Sequence, residues 1–240
     1  MVVLATKVYV QGDARERSLS SLRSLVENDV GELDVTVDVG IRHDDFPSVT
    51  VDGPDAVAAR NLLRERWGEI TGSLSAGDTG VGTLESWDEG GFVLDAGRPV
   101  RIARDAIGLG PGSPLQIRER FGLVQHLPMA FVVEDVHESI ADETAPGTVG
   151  EVPLAARLSD DERDRLFEWT RGNGRLNVNS ATRGEVRATL NRAGHARDYV
   201  TIERLGLLEQ SVICTDDTDP PGLLASVGEY LQSELRCVVT

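Results

Sequence analysis

The chain has 240 residues, with 24 basic against 40 acidic side chains, a formal net charge of −16, 40% hydrophobic and 5% aromatic residues. No apolar run reaches the roughly 18 residues of a membrane span, and two cysteines exclude a disulfide-stapled scaffold. Apolar residues recur in periodic clusters along the whole length, which excludes a disordered chain and leaves room for one large or two to three small domains.

The first stretch, 1–70, reads as an α+β unit. Val2–Val10 is a β-branched run and predicts a strand. Ala14–Asn28 carries Leu19, Leu22, Leu25 and Val26 at helical spacing, with Gly31 just beyond. Leu33–Val39 alternates strictly, Leu33, Val35, Val37 and Val39 against Asp34, Thr36 and Asp38, and Phe46–Val51 repeats the alternation. Asp52-Gly53-Pro54-Asp55 offers a turn, and the helix after it is expected to bury Val57, Leu62, Leu63 and Trp67. The order is βαββα.

Composition shifts near residue 68, where 11 of the 25 glycines fall between Gly68 and Gly112. Between them the sequence predicts short strands at Val81–Trp87, Gly91–Asp95, Val100–Ala103, Leu115–Arg120 and Leu123–Val124, a small barrel over 71–133. Val81-Gly82-Thr83-Leu84, Gly90-Gly91-Phe92-Val93-Leu94-Asp95, Val100-Arg101-Ile102 and the stretch Leu109–Ile117 resemble the S1-type oligonucleotide-binding (OB) barrel. Residues 134–158, with Pro146, Gly147 and Gly150 among acids, predict a linker. Ser159-Asp160-Asp161-Glu162 is a capping box opening a helix with Leu166, Phe167 and Trp169.

The final domain, 159–240, places this helix ahead of a βαββαβ alternation: Arg175–Asn179, helix Thr182–Ala193, Tyr199–Arg204, Leu207–Cys214, helix Gly222–Ser233, Leu235–Val239. That is the ferredoxin-like order. Element order and the turns before the second helices hint at an internal repeat between the two ends. The fold class expected is α+β: an N-terminal βαββα unit, a central S1/OB-like small β-barrel and a C-terminal ferredoxin-like βαββαβ unit. The barrel Val81–Val124, with the stretch from Gly184-Glu185-Val186 to Pro221-Gly222-Leu223, resembles the archaeal domain-of-unknown-function 2110 family over nearly the whole chain. The resemblance implies architecture and an archaeal source, and no catalytic residues.

Charge is uneven. Lys7 is the only lysine, a haloarchaeal-type composition that suggests adaptation to molar salt, where screening quiets repulsion between surface carboxylates; the alternative is an ordinary acidic protein from a GC-rich genome, which also favours Arg over Lys. Against that acidic background one segment stands out: residues 171–204 hold seven arginines and three acids, +4, in a chain otherwise at −20. The candidate nucleic-acid-binding residues there are Arg171, Arg175, Arg183, Arg187, Arg192 and Arg197, with Arg204 closing the segment. Arg183 and Arg187 share a helix face, and guanidinium forks match phosphate oxygens bidentately. The barrel adds Arg98, Arg101, Arg104, Arg118 and Arg120, with Trp87, Phe92 and Phe121 as stacking aromatics.

Other motifs point elsewhere. Gly108-Leu109-Gly110-Pro111-Gly112-Ser113 lacks the Lys-Ser/Thr of a phosphate loop, and Pro114 is expected to open a strand. Arg42-His43-Asp44-Asp45 is a solvated turn rather than a metal site, His126 and His137 are isolated, and His195 follows a helix C-terminus, where it reads as structural. No Ser/His/Asp constellation, G-x-S-x-G or H-E-x-x-H occurs, and no cofactor is expected. Cys214 and Cys237 fall on strands separated by a third, so no disulfide is expected. The expectation is a cytoplasmic, non-enzymatic factor binding RNA or a ribosome or RNA-polymerase assembly through arginine–phosphate contacts, with no membrane partner. The alternative is a small-molecule sensor, a homodimer with a ligand near Asp216–Gly222.

Overall fold

In the computed structural model, which describes residues 1–134 and 152–239, the first unit consists of Val2–Val3 (β1), Gly12–Asp29 (α1), Thr36–Ile41 (β2), Pro47–Asp52 (β3) and Ala56–Trp67 (α2). The sheet order is β1-β3-β2, all antiparallel. Alternation sets which faces are buried: Val39, Val49 and Val51 enter the core while Asp38, Thr50 and Asp52 face water. Leu22 and Val26 of α1 and Ala59, Leu63 and Trp67 of α2 cover that apolar face. Val57 is exposed, contrary to the sequence expectation. It lies two residues from Ala59, on the far side of a helix whose buried stripe is Ala59, Leu63 and Trp67.

The strand expected over Val2–Val10 pairs only at Val2–Val3, with a further bridge from Leu4 to Glu69. Beyond Val3, the Leu4 and Val8 N–H groups donate to the Pro47 and Asp45 carbonyls of the same unit, while Thr6 reaches the C-terminal unit, its hydroxyl accepting the Leu207 N–H at 2.9 Å. Ile70 N–H donates to Val3 at 2.8 Å, so residues 69–70 lie along β1 on the edge away from β3.

The central barrel comprises Thr79–Asp88 (β4), Gly91–Asp95 (β5), Pro99–Ala103 (β6), Pro114–Arg120 (α3), Pro128–Val133 (β7) and Leu154–Leu158 (β8), followed by Asp160–Trp169 (α4). It closes in the order β4-β5-β6-β8-β7, with β6 and β8 parallel and the other pairs antiparallel. In barrel numbering this is 1-2-3-5-4 with a helix between the third and fourth strands, the arrangement of oligonucleotide-binding barrels. Leu84, Phe92, Leu94, Val100, Ile102, Met129, Phe131, Ala156 and Leu158 fill it, and α3 and α4 add Ile117, Phe121, Leu166 and Trp169 to the same core. Gly91 permits the closure of β5 on β6: at φ +142°, a Cβ there would sit 2.0 Å from the Ile102 carbonyl.

Four sequence expectations change here. Leu115–Arg120 is a helix, because Ser113 and Gln116 form a reciprocal capping box with Pro114 in the first turn. Leu123–Val124 is buried but is not a strand. Leu154–Leu158, expected in a linker, is the strand that closes the barrel, and α4 packs into the barrel core rather than leading the C-terminal unit. Residues 135–151 of that expected linker, with His137, lie outside the described residues.

The C-terminal unit runs Arg175–Val178 (β9), Arg183–Arg192 (α5), Tyr199–Arg204 (β10), Gln210–Cys214 (β11), Pro220–Val227 (α6) and Leu235–Val238 (β12). Its sheet, β10-β11-β9-β12, is antiparallel throughout and has the ferredoxin-like order. Val186, Leu190, Leu223 and Val227 cover Leu176, Val178, Ile202 and Val212. The first unit has the same sequence of neighbours, β2-β3-β1 with residues 69–70 in the fourth place, so the ends repeat in topology. Cys214 and Cys237 are free, on the strands that flank β9.

Candidate nucleic-acid interface

Two helices that hold equivalent places in the repeated units, α1 and α5, approach one another and are joined by Arg17 and Glu185 at 3.2 Å. Between the units lies a cleft of about 660 Å³ lined by Ser21, Leu25, Asp29, Arg66, Arg183, Gly184, Arg187, Arg204, Leu207 and Gln210. The local sequence explains its positive rim. Thr182 caps α5 through a reciprocal box with Glu185, so Arg183 begins the first turn and Arg187 stands one turn on. Val186 and Leu190 face the core and fix that rotation, leaving both arginines exposed. The Glu185 carboxylate is occupied by Thr182 and Arg17, and these bonds outweigh its burial and lower its pKa.

The far wall is built on Asp29. Its carboxylate accepts Trp67 Nε1–H at 2.9 Å and pairs with Arg66 at 3.2 Å. Over the buried Trp67 ring lies the Arg204 guanidinium, 4.1 Å from the ring centroid. Burial lowers the pKa of Arg204; Asp29 opposes that, while the charges of Arg66 and Arg183 add to it. Among the described residues no carboxylate is in ion-pair contact with Arg183, Arg187 or Arg204. Four guanidiniums thus surround one cleft with a single carboxylate, a local +3 in a chain of −16. Such an assembly offers preorganised forked donors to an anion, and anion binding would relieve the mutual repulsion.

The remaining sequence-predicted residues scatter. Arg175 pairs with Glu203 at 2.8 Å and lies over Trp169. Arg171, Arg192 and Arg197 are exposed but do not line the cleft. The Gly172-Asn173-Gly174 loop beside Arg171 borders a hollow shared with Asp216 and Asp219, which disfavours phosphate. In the barrel, Arg118 is only 2% exposed; it bonds the Glu234 carboxylate and stacks 3.4 Å from the Trp87 centroid, so no external polyanion reaches it. Arg101 makes two bonds to Asp88 at 2.5 and 3.0 Å. Arg120 donates to the carbonyls of Leu109 and Pro111, and Arg98 to that of Val152. Arg104 is exposed beside Asp105. Phe92 and Phe121 are core residues, so the aromatic row expected on the barrel surface does not form. Arg66 was not singled out by the sequence, since nothing near it marks it; only the fold carries it to Arg183.

A polar joint holds the three units at fixed positions. Lys7 reaches Glu85 at 2.8 Å and Asp95 at 2.7 Å. Burial raises Glu85, but bonds from His126 and Lys7 outweigh it and hold the carboxyl at about 2. The Tyr9 hydroxyl donates to Glu209 at 2.8 Å and accepts the Ser180 N–H at 2.8 Å, and its ring lies 3.9 Å from His126. Burial pushes the fully enclosed Glu209 up to about 8.

The fold also assembles a group that the sequence did not show. His195 Nδ1 lies 2.6 Å from Asp198, and Nε2 lies 2.6 Å from the Ser226 hydroxyl. These bonds tie the loop after α5 to α6. Asp217 and Asp219 line the same hollow, surroundings that would oppose a developing oxyanion. No group of three or more ligating side chains suited to a metal occurs among the described residues.

These observations define a three-part α+β protein: an oligonucleotide-binding-type barrel between two units of one topology, with an arginine-lined cleft where those units meet. The chain belongs to the DUF2110 family, whose N-terminal domain, central domain and C-terminal domain models match residues 1–73, 74–170 and 173–239. No curated protein matches it. No helix among the described residues is long and apolar enough to cross a membrane.

Proposed function

We propose that this protein is a non-enzymatic factor that binds RNA, free or within a ribosome or RNA-polymerase assembly, by seating phosphates among the arginines of the inter-unit cleft. The observation that supports this most is the convergence of Arg66, Arg183, Arg187 and Arg204 with Asp29 as the only carboxylate among the described residues of the cleft wall. Such contacts position a backbone without reading its sequence. At high ionic strength the release of counterions contributes little, so bidentate geometry and the preformed cleft supply the affinity.

RNA retention by the wild type and by an Arg183→Glu/Arg187→Glu double variant, at one salt concentration, tests the reading. The expected outcome is a loss of about tenfold or more, the equivalent of one or two charge-assisted hydrogen bonds. Equal retention by the two proteins refutes a role for the cleft.

A further inference from the structure

The cleft is not uniformly charged. Arg183 and Arg187 form one wall, exposed and without ion-pair partners among the described residues. The opposite wall holds Arg204 over the Trp67 ring, and Leu25 and Leu207 also line the cleft. Trp67 is itself fixed: the residue is 6% exposed, and its indole N–H is held by Asp29. The indole lies against the guanidinium, and Arg204 lines the cleft with the surface that the indole leaves uncovered. A guanidinium fixed in this way is a stacking surface for a nucleobase, as well as a charge. A phosphate alone would need neither the indole nor the apolar floor. Duplex RNA would satisfy the charges but leave the platform unused, since its bases are stacked on one another.

Resting on the RNA-binding reading above, we infer that the cleft takes an unpaired nucleotide, its phosphate on Arg183 and Arg187 and its base on the Arg204–Trp67 platform. The ligand class is therefore single-stranded RNA, or a frayed end or bulge, rather than a helix. Gln210 supports this placement. Its amide N–H₂ donates to Ala181 and Leu207 carbonyls at 3.3 and 3.0 Å, which fixes the loop that carries Leu207 at the cleft floor.

The test compares three ligands of equal phosphate number: a short single-stranded RNA, the same strand with abasic sites, and a duplex. The wild type is expected to bind the base-bearing strand about tenfold more tightly than the abasic one, the worth of one stacked base. Arg204→Lys keeps the charge but loses the plane, and should bring the base-bearing strand down to the abasic level. Equal binding of all three ligands by the wild type would overturn the platform and leave the arginine–phosphate reading standing. Binding of none of them would overturn both. The wild-type comparison needs no variant to fold.

Discussion

The barrel and the inter-unit cleft each carry several arginines, and they hold them differently. In the barrel, Arg101 is held by Asp88, Arg118 by Glu234, and Arg120 by two loop carbonyls. In the cleft, Arg183, Arg187 and Arg204 meet no carboxylate at ion-pair distance among the described residues. The two groups are alike in residue type. What separates them is how far the fold supplies partners: Arg101 and Arg118 each meet an acid, whereas in the cleft only Arg66 does, through Asp29. In the oligonucleotide-binding-type barrel, Arg101 and Arg118 are therefore neutralised internally and Arg120 is tied to loop carbonyls. The surface we propose for a polyanion lies instead where the flanking units meet.

Breaking the internal use of a barrel arginine should have the largest effect. Arg118→Ala removes a nearly enclosed cation from Glu234 and Trp87 and is expected to lower unfolding free energy by about 3 kcal/mol or more, read by denaturant titration. A loss below about 1 kcal/mol would show that the pair is not a structural anchor.

The polar joint sharpens the same contrast through pH. Glu209 keeps its proton to about 8 in the folded chain, against about 4.3 when unfolded. Between those values the unfolded state has lost a proton that the folded state retains, so stability should fall as pH rises and level off above about 8. Glu209→Gln should flatten that decline, which thermal unfolding between mildly acid and mildly alkaline pH would show. Glu85 runs the other way: held at about 2, it contributes stability that is present in neutral solution and is lost as pH falls toward that value.

On the other side of the comparison, Arg183→Glu/Arg187→Glu should change stability by no more than about 0.5 kcal/mol, because both side chains are exposed. The salt dependence of its RNA binding should be shallower by about 0.7 in log–log slope for each phosphate that the variant no longer neutralises. The smallest effect belongs to Arg101→Ala. Its partner Asp88 is mostly exposed, so both stability and RNA retention should stay close to wild type, within about 0.5 kcal/mol.

Much of the architecture could be read from the sequence because its signals are local. Alternation marked β2 and β3, and Ser159 with Glu162 marked the start of α4. Where the reading failed, a competing signal or a distant partner decided. Leu115 and Ile117 alternate with polar residues like a strand, yet the Ser113–Gln116 box starts a helix. Ala155-Ala156-Arg157 has little intrinsic strand preference, and β8 forms because β6 and β7 present unpaired edges to it. For the candidate site, the helix face of Arg183 and Arg187 was visible from their spacing. Arg66, the Arg204–Trp67 stack and the Ser226–His195–Asp198 group were not, since each needs residues from separate elements to meet.

The most direct test maps arginine reactivity by mass spectrometry after phenylglyoxal treatment, with and without single-stranded RNA. RNA is predicted to protect Arg183, Arg187 and Arg204 and to leave Arg101 and Arg104 of the barrel unchanged. Protection of Arg101 and Arg104 with none at α5 would contradict the account and return the binding surface to the barrel.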